Sequence, residues 1–450
     1  MSMGEKTNAE KVFLRLHRLG LIRPFVRYSF RLRKEILQGV HYNTDMVTNQ
    51  MTYVDLITDS FKERALPQRD FQSKSAFESS FISLADTFSQ LFGYRYSLPV
   101  SQGRSAELIL AKVLVKPEMV IPNNLLFIST RYHQILAGAR LIEIPVVEAY
   151  DLNNDSPFKG NIDTEQLEGV IRKHGKEKIP YILIETAVNA SGGHPVSMEN
   201  IKKAHRIAKE HNIPLILDAC RLLDNACLIR EREQTYSQKS LKEIVLEFCS
   251  YTDGCVMSAS KNYYVDTGGF IATNNEQLHN QFMDVVMVYG DGLSVRAKGK
   301  LNAAIQYPFK NERIINDRVN KSFYLWKKLE EAGVPVVRPS AGCAVFIDTH
   351  QLSEYIAPDQ FPEKSFLVHL YLKSGILGSE NLITTGQDEK GISMLRFAIP
   401  LKSYNVRHMN YVAKHIIQTW EERKQIKGLK KIYAAPCQSG KFLAQYQIIE

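Results

Sequence analysis

Lys261 stands in the segment Met257-Ser258-Ala259-Ser260-Lys261-Asn262-Tyr263-Tyr264, and Asp218 closes the apolar run Ile213-Pro214-Leu215-Ile216-Leu217. A lysine amine can hold an aldehyde as a Schiff base, and a carboxylate at a strand end can keep a ring nitrogen protonated. Pyridoxal phosphate needs both groups, so the pair points to that cofactor and to chemistry at the α-carbon of an amino acid. Taken alone, Asp218 is equally a structural acid at the end of a strand.

Three further segments suit the same cofactor. Gln102-Gly103-Arg104-Ser105 falls between a short strand and a helix. Backbone donors at the helix start, a glycine permitting close approach and the Arg104 guanidinium can cradle a phosphate there. The plain alternative is a helix-start turn, and the glycine spacing matches neither a Walker loop nor a dinucleotide fingerprint. Asn189 follows another apolar strand, where it can hydrogen-bond a phenolic oxygen or simply open the turn Asn189-Ala190-Ser191-Gly192-Gly193. Phe127 can stack on a pyridine ring or fill the core.

The elements that must position these residues alternate along the chain. A helix ends at Gly93, and strands are expected at 96–100, 141–147, 179–185, 213–218, 254–258 and 268–272. Helices are expected at 106–115, 162–174 and 198–210, and a turn near 123–124. Continuous apolar strands separated by helices predict an α/β fold with a mainly parallel sheet covered on both faces, whose carboxyl edge binds ligands. A helix over 314–332, strands at 344–348 and 393–399 and a helix over 405–423 form a second, smaller α/β part.

Bulk properties narrow the class. A chain of 450 residues can fill two domains, and 44% hydrophobic with 23% charged residues fits a globular protein. No run approaches the roughly 20 apolar residues that cross a bilayer. Met1-Ser2-Met3-Gly4-Glu5-Lys6 has no apolar signal core, and the six cysteines form no close pair, so a reduced cytoplasmic setting and no metal site are expected. Much of the local basic density lies at 423–431; no nucleic-acid module accompanies it, so it reads as a solvated helix end and loop.

Taken together these motifs resemble the aromatic amino acid β-eliminating lyases, the tyrosine phenol-lyase and tryptophanase family. The similarity is carried by Gln102-Gly103-Arg104, Thr130-Arg131-Tyr132-His133-Gln134, Val188-Asn189-Ala190-Ser191-Gly192-Gly193-His194-Pro195-Val196-Ser197-Met198, Asp218-Ala219-Cys220-Arg221 and the Lys261 segment, in that order. The resemblance implies a fold-type I pyridoxal phosphate enzyme with a large cofactor domain (61–312) and a small domain made from both termini (1–60 and 313–450). It implies Lys261 as Schiff-base nucleophile and α-proton base, Asp218 as partner of the pyridinium nitrogen, and Gln102, Gly103, Arg104 and Ser258 as phosphate ligands. Phe127 falls at the ring-stacking position, Asn189 at the cofactor-oxygen position and Arg221 beside the cofactor. Arg396 matches the arginine that grips the amino-acid carboxylate, with Thr58 and Asn189 framing the same end. Homodimers or homotetramers are implied, without nucleic acid or membrane.

The leaving-group side departs from the family pattern. Ser75 stands where a proton-donating tyrosine is expected, Asn381 where tyrosine phenol-lyase has a phenol-recognising arginine, and Ser260 where a second lysine precedes the Schiff-base lysine. Phe442 follows the phenol-lyase pattern rather than the tryptophanase histidine. At the monovalent-cation site, Ser73 replaces an acid and Asp266 occupies another position. The expected activity is therefore β-elimination from a β-substituted L-amino acid, giving pyruvate and ammonia with an altered leaving group. Lys74, Tyr263 or Tyr264 can supply compensating chemistry. An aminotransferase or other α-carbon lyase, and a catalytically inactive interaction protein, are the alternatives.

Overall fold

The computed structural model describes residues 29–45, 84–265, 267–384, 391–401, 404–436 and 443–450. Its centre is built from strands with no exposed face. β4 (Ile182–Glu185), β5 (Leu215–Asp218) and β6 (Gly254–Ser258) are buried at every position. Their side chains alternate between two cores. Ile182, Ile184, Leu215 and Leu217 face one, while Leu183, Ile216 and Val256 face the other. Each such side chain, fully buried, contributes roughly 2 kcal/mol relative to exposure.

With β1 (Tyr96–Val100), β2 (Val120–Asn123), β3 (Arg140–Glu143) and β7 (Gly269–Thr273), these strands form a seven-stranded sheet in the order β1-β7-β6-β5-β4-β2-β3. The β3-β2-β4-β5-β6 run is parallel, and β7 alone lies antiparallel to both neighbours. Helices Thr164–His174, Met198–Glu210, Leu222–Arg232 and Leu241–Ser250 cover the first core, and Gly103–Leu114 with Glu276–Tyr289 cover the second. This is the mainly parallel α/β sheet that the apolar runs predict.

Several expected elements are shorter than their patterns, and two of them show why. β3 stops at Glu143 because Pro145, lacking an N–H, makes only an isolated bridge to Ile162 before a 3-10 turn at Val147–Tyr150. Ile162 is held in that bridge, so its helix starts at Thr164, where the Asp163 carboxylate accepts from the N–H groups of Glu165 and Gln166.

A separate core lies around an antiparallel sheet of β8 (Ala344–Asp348), β9 (Ser379–Thr384) and β10 (Gly391–Ala398), in the order β8-β10-β9. Leu395 and Phe397 pack there with Phe366, Val412 and Trp420. Helix Arg313–Glu331 joins this core to the large sheet: Ile315 and Val319 belong to the first core of that sheet, and Leu325, Trp326 and Leu329 to the core around the small sheet. The N-terminal helix Phe30–Gly39 attaches to the second part, where Arg33 donates to the carbonyl of Leu372 at 2.7 Å. Lys364, almost fully buried, pairs with Asp45 at 2.8 Å and Glu380 at 3.2 Å.

The basic tract is more ordered than a helix end and loop. It turns through Arg423–Gln425 and enters β11 (Leu429–Tyr433), which pairs with β12 (Gln445–Ile448) while Leu429 is buried and Lys430 and Lys431 stay in solvent. Among the described residues no helix is long and apolar enough to cross a membrane.

Candidate active site

Five chain segments converge at the carboxyl edge of the large sheet: the turns after β1 and β2, and the ends of β4, β5 and β6. Gln102, Gly103, Arg104, Phe127, Asn189, Asp218, Arg221, Ser258 and Lys261 line one cavity there. These are the nine residues that the sequence proposes around a cofactor.

The turn after β1 feeds helix Gly103–Leu114, whose N-cap residue Gln102 is extended and makes no side-chain cap. Its first N–H groups and its positive dipole end therefore face the cavity, which suits an anion. The turn also lies hard against the end of β6. A Cβ on Gly103 would sit 2.6 Å from the Ser258 Cβ, and one on Gly269 would sit 2.7 Å from the Gln102 carbonyl carbon. Two glycines thus let the turn, β6 and β7 close into one cradle.

Asp218 ends β5 with its side chain buried, and its Oδ1 accepts from the Cys220 N–H at 3.0 Å. Burial pushes its carboxyl above the usual carboxylate range, against the pull of that hydrogen bond and of the Arg221 and Lys261 charges. Two more carboxyls line the same cavity. Burial, with Asp218 adding, pushes Glu107 up to about 7 and Glu185 up to about 8. Three acids held this way form an acidic end that a protonated ring nitrogen would relieve.

Neither glutamate belongs to the cofactor motifs of the sequence. Glu185 was visible in principle, because it ends an apolar strand as Asp218 does. Its Oε2 accepts from the Phe127 N–H at 2.6 Å and its Oε1 from the Asn189 N–H at 2.9 Å, so one carboxylate fixes the backbone of two cavity residues. Glu107 lies one helical turn after Gly103 on the same helix. His133 Nε2 is 4.0 Å from its Oε2, too far for a hydrogen bond, and that oxygen has no partner among the described residues.

Lys261 sits in the one-turn helix Ala259–Asn262. Its carbonyl accepts from Arg318 Nη1 at 3.0 Å, and Arg318 in turn pairs with the buried Asp224. Asn262 donates to Asp224 at 2.8 Å and accepts from the Leu223 N–H at 3.0 Å, which ties the lysine turn to helix Leu222–Arg232.

Arg396 is not part of the cavity wall. It lies on β10 opposite Ser379 of β9, one pleat from the Met394–Asn381 pair, so Arg396 and Asn381 project from the same face of the small sheet. Asn381 reaches the site: it exchanges hydrogen bonds with Asn189 at 2.9 Å. Ser260 is buried and bonded to Ser258 through their hydroxyls at 3.1 Å. Tyr263 and Tyr264 pack into the large core rather than lining the cavity, because they flank the lysine turn on its buried side. They do not supply the compensating acid that the sequence offers. Thr58, Ser73, Lys74, Ser75, Asp266 and Phe442 lie outside the described residues.

The donor set fits pyridoxal phosphate. Helix N–H groups, Arg104 and Ser258 suit the phosphate, Asp218 suits the ring nitrogen, and Lys261 suits the aldehyde. Comparison with known proteins gives the same frame. The model of the beta-eliminating lyase family matches residues 72–415. The chain is 33% identical over 440 residues to the tyrosine phenol-lyase of Symbiobacterium sp. (strain SC-1), covering 93% of this chain and 95% of that one. It is 35% identical to the tyrosine phenol-lyase of Fusobacterium nucleatum subsp. nucleatum, covering 92% and 94%. Among solved structures, a Leishmania major threonine aldolase superposes with a TM-score of 0.56 at 14% identity, covering 81% of this chain and 99% of that one, which speaks for the fold. The chain belongs to the beta-eliminating lyase family and is a pyridoxal-phosphate-dependent lyase.

Proposed function

We propose that the protein removes the β-substituent of an L-amino acid, releasing pyruvate and ammonia, and that its leaving group is neither phenol nor indole. The observation that carries this reading is the cavity itself: Lys261, Asp218 and the Gln102–Arg104 cradle share one wall system, while the neutral Asn381 stands on the side where a phenol-recognising arginine is expected. The 33% identity to tyrosine phenol-lyase supports the reaction class.

When bound, pyridoxal phosphate supplies a covalent handle for the substrate amine and a sink for the electrons of the α-carbon. The protein does the rest. Gln102, Gly103 and Arg104, with Ser258, would hold the phosphate, and Phe127 would take the ring-stacking position. Asp218 would keep the ring nitrogen protonated, and Asn189, with Arg221 beside it, would donate to the phenolic oxygen. Arg396, with Thr58 and Asn189, binds the substrate carboxylate. The Lys261 amine takes the α-proton, and departure of the β-substituent follows.

The same reading includes a division into a large domain, 61–312, and a small domain from 1–60 and 313–450; the core around the small sheet, drawn wholly from residues after 313, supports it. It also includes assembly as cytoplasmic homodimers or homotetramers, supported by exposed Met287, Val288 and Val295, which are 81%, 79% and 88% exposed. The test is a panel of β-substituted amino acids offered to the holoenzyme, with pyruvate measured by a coupled assay and the leaving group by mass spectrometry. Turnover without pyruvate rejects β-elimination, and a keto acid accompanied by pyridoxamine phosphate marks an aminotransferase.

A further inference from the structure

The side-chain amide of Asn381 is engaged at both ends. Its Nδ2 donates to the backbone carbonyl of Asn189 at 2.9 Å, and its Oδ1 accepts from Asn189 Nδ2 at 2.9 Å. The arrangement has one orientation only. A carbonyl oxygen can only accept, so the nitrogen of Asn381 must face it, and the oxygen is then left for the Asn189 amide. The two residues stand 192 positions apart and come from different sheets, Asn189 from the turn after β4 and Asn381 from β9.

Behind Asn189, Glu185 Oε1 holds the N–H of the same residue at 2.9 Å. Asn189 is thus fixed by its N–H from the large sheet, and by its carbonyl and side chain from the small one. On the other side, Asn381 pairs with Met394 of β10, two residues from Arg396. A continuous polar chain, Glu185–Asn189–Asn381, therefore fastens the strand pair carrying Arg396 to the wall of the cavity. Asn381 is buried, only 9% exposed, so these hydrogen bonds are not exchanged freely for water.

We propose that Asn381 is a positioning residue, which orients Asn189 towards the cofactor and holds the β9–β10 strand pair over the cavity, rather than a contact to the leaving group. The proposal rests on Asn189 facing pyridoxal phosphate, but not on β-elimination being the reaction. A leaving-group contact would change the preference among substrates. A positioning residue changes every substrate alike, and also changes the cofactor before any substrate is added.

The experiment compares Asn381→Ala and Asn381→Leu with Asn189→Ala and the double Asn189→Ala/Asn381→Ala variant. Cofactor affinity is read by titrating pyridoxal phosphate into each cofactor-free protein, and the holoenzyme absorbance is recorded without substrate. Both Asn381 variants are expected to shift the absorbance and weaken cofactor binding roughly tenfold, the scale of one lost buried hydrogen bond. KM should rise by a common factor for all accepted amino acids. In the double variant the losses should be less than the product of the single ones, because both remove the same link. Thermal unfolding before titration identifies a variant that is not folded, and the Leu variant, of similar volume, then stands in for Ala. Unchanged absorbance and cofactor affinity together with an altered ratio of kcat/KM between substrates would overturn the proposal. Fully multiplicative losses in the double variant would overturn it too. If the family reaction is absent but the spectral shift and coupling appear, the positioning role stands and β-elimination fails.

Discussion

Arg318 reaches across from the helix that joins the small-sheet core to the large sheet and donates to the backbone carbonyl of Lys261 at 3.0 Å. Its other guanidinium nitrogen pairs with Asp224, and both side chains are buried, at 1% and 0% exposure. The turn that carries Lys261, the proposed nucleophile, is therefore held by a charge pair with no access to water. A buried pair of this kind fixes one geometry at a high desolvation cost, and Asp224 Oδ1 and Arg318 Nε have no hydrogen-bond partner among the described residues.

Removing one member should be far worse than removing both. Arg318→Met leaves the Asp224 carboxylate buried without its cation and should lower stability by about 3–5 kcal/mol. The double Arg318→Met/Asp224→Leu variant should recover a good part of that. Urea unfolding of the three proteins measures it. A single variant within about 1 kcal/mol of the wild type would show that the pair does not hold the lysine turn.

Lys261→Ala should abolish covalent attachment of the cofactor while the cradle of Gln102, Gly103, Arg104 and Ser258 still binds it noncovalently. Borohydride reduction followed by mass spectrometry should find pyridoxyl modification at Lys261 in the wild type and none in the variant. Modification of the variant at another lysine would reassign the nucleophile.

Gly103→Ala tests the cradle without touching a charge. The added Cβ would lie 2.6 Å from the Ser258 Cβ and 3.0 Å from its Cα, so the turn after β1 or the end of β6 must move. Because the helix N–H groups then miss the phosphate, the dissociation constant for pyridoxal phosphate should rise at least tenfold, by the factor expected when one charge-assisted hydrogen bond is lost. Binding at wild-type strength would place the phosphate elsewhere.

The sequence made the cofactor end legible and the connections between domains obscure, for one physical reason. Asp218, Asn189 and the Gly103 turn each follow an apolar strand, and a strand covered on both faces leaves its functional residue at its carboxyl edge. The spacing of such residues is local and shows in the pattern. The Asn189–Asn381 link joins residues 192 apart, and nothing periodic marks it. Arg318 is not among the residues the motifs single out, although it lies on the buried stripe of its helix with Ile315, Val319 and Ser322, where an arginine requires a partner. The identity of that partner, Asp224, depends on how helix Leu222–Arg232 crosses behind the lysine turn, which is tertiary information.

Glu107 gives the cavity a pH signature of definite sign. In the unfolded chain its carboxyl ionises near 4.5, but in the folded protein burial, with the Asp218 charge adding, pushes it up to about 7. Between those values the folded state binds more protons than the unfolded state, so this group's contribution to stability is complete below about 4.5 and is lost as pH rises through 7. The shift corresponds to about 3 kcal/mol at full effect. Glu107→Gln keeps the shape and removes the proton equilibrium. The difference in unfolding free energy between the wild type and Glu107→Gln, both cofactor-free, should therefore fall steadily from pH 5 to about 7 and level off above it. A difference that stays flat across that window would mean that Glu107 ionises in the folded protein as it does in the unfolded chain.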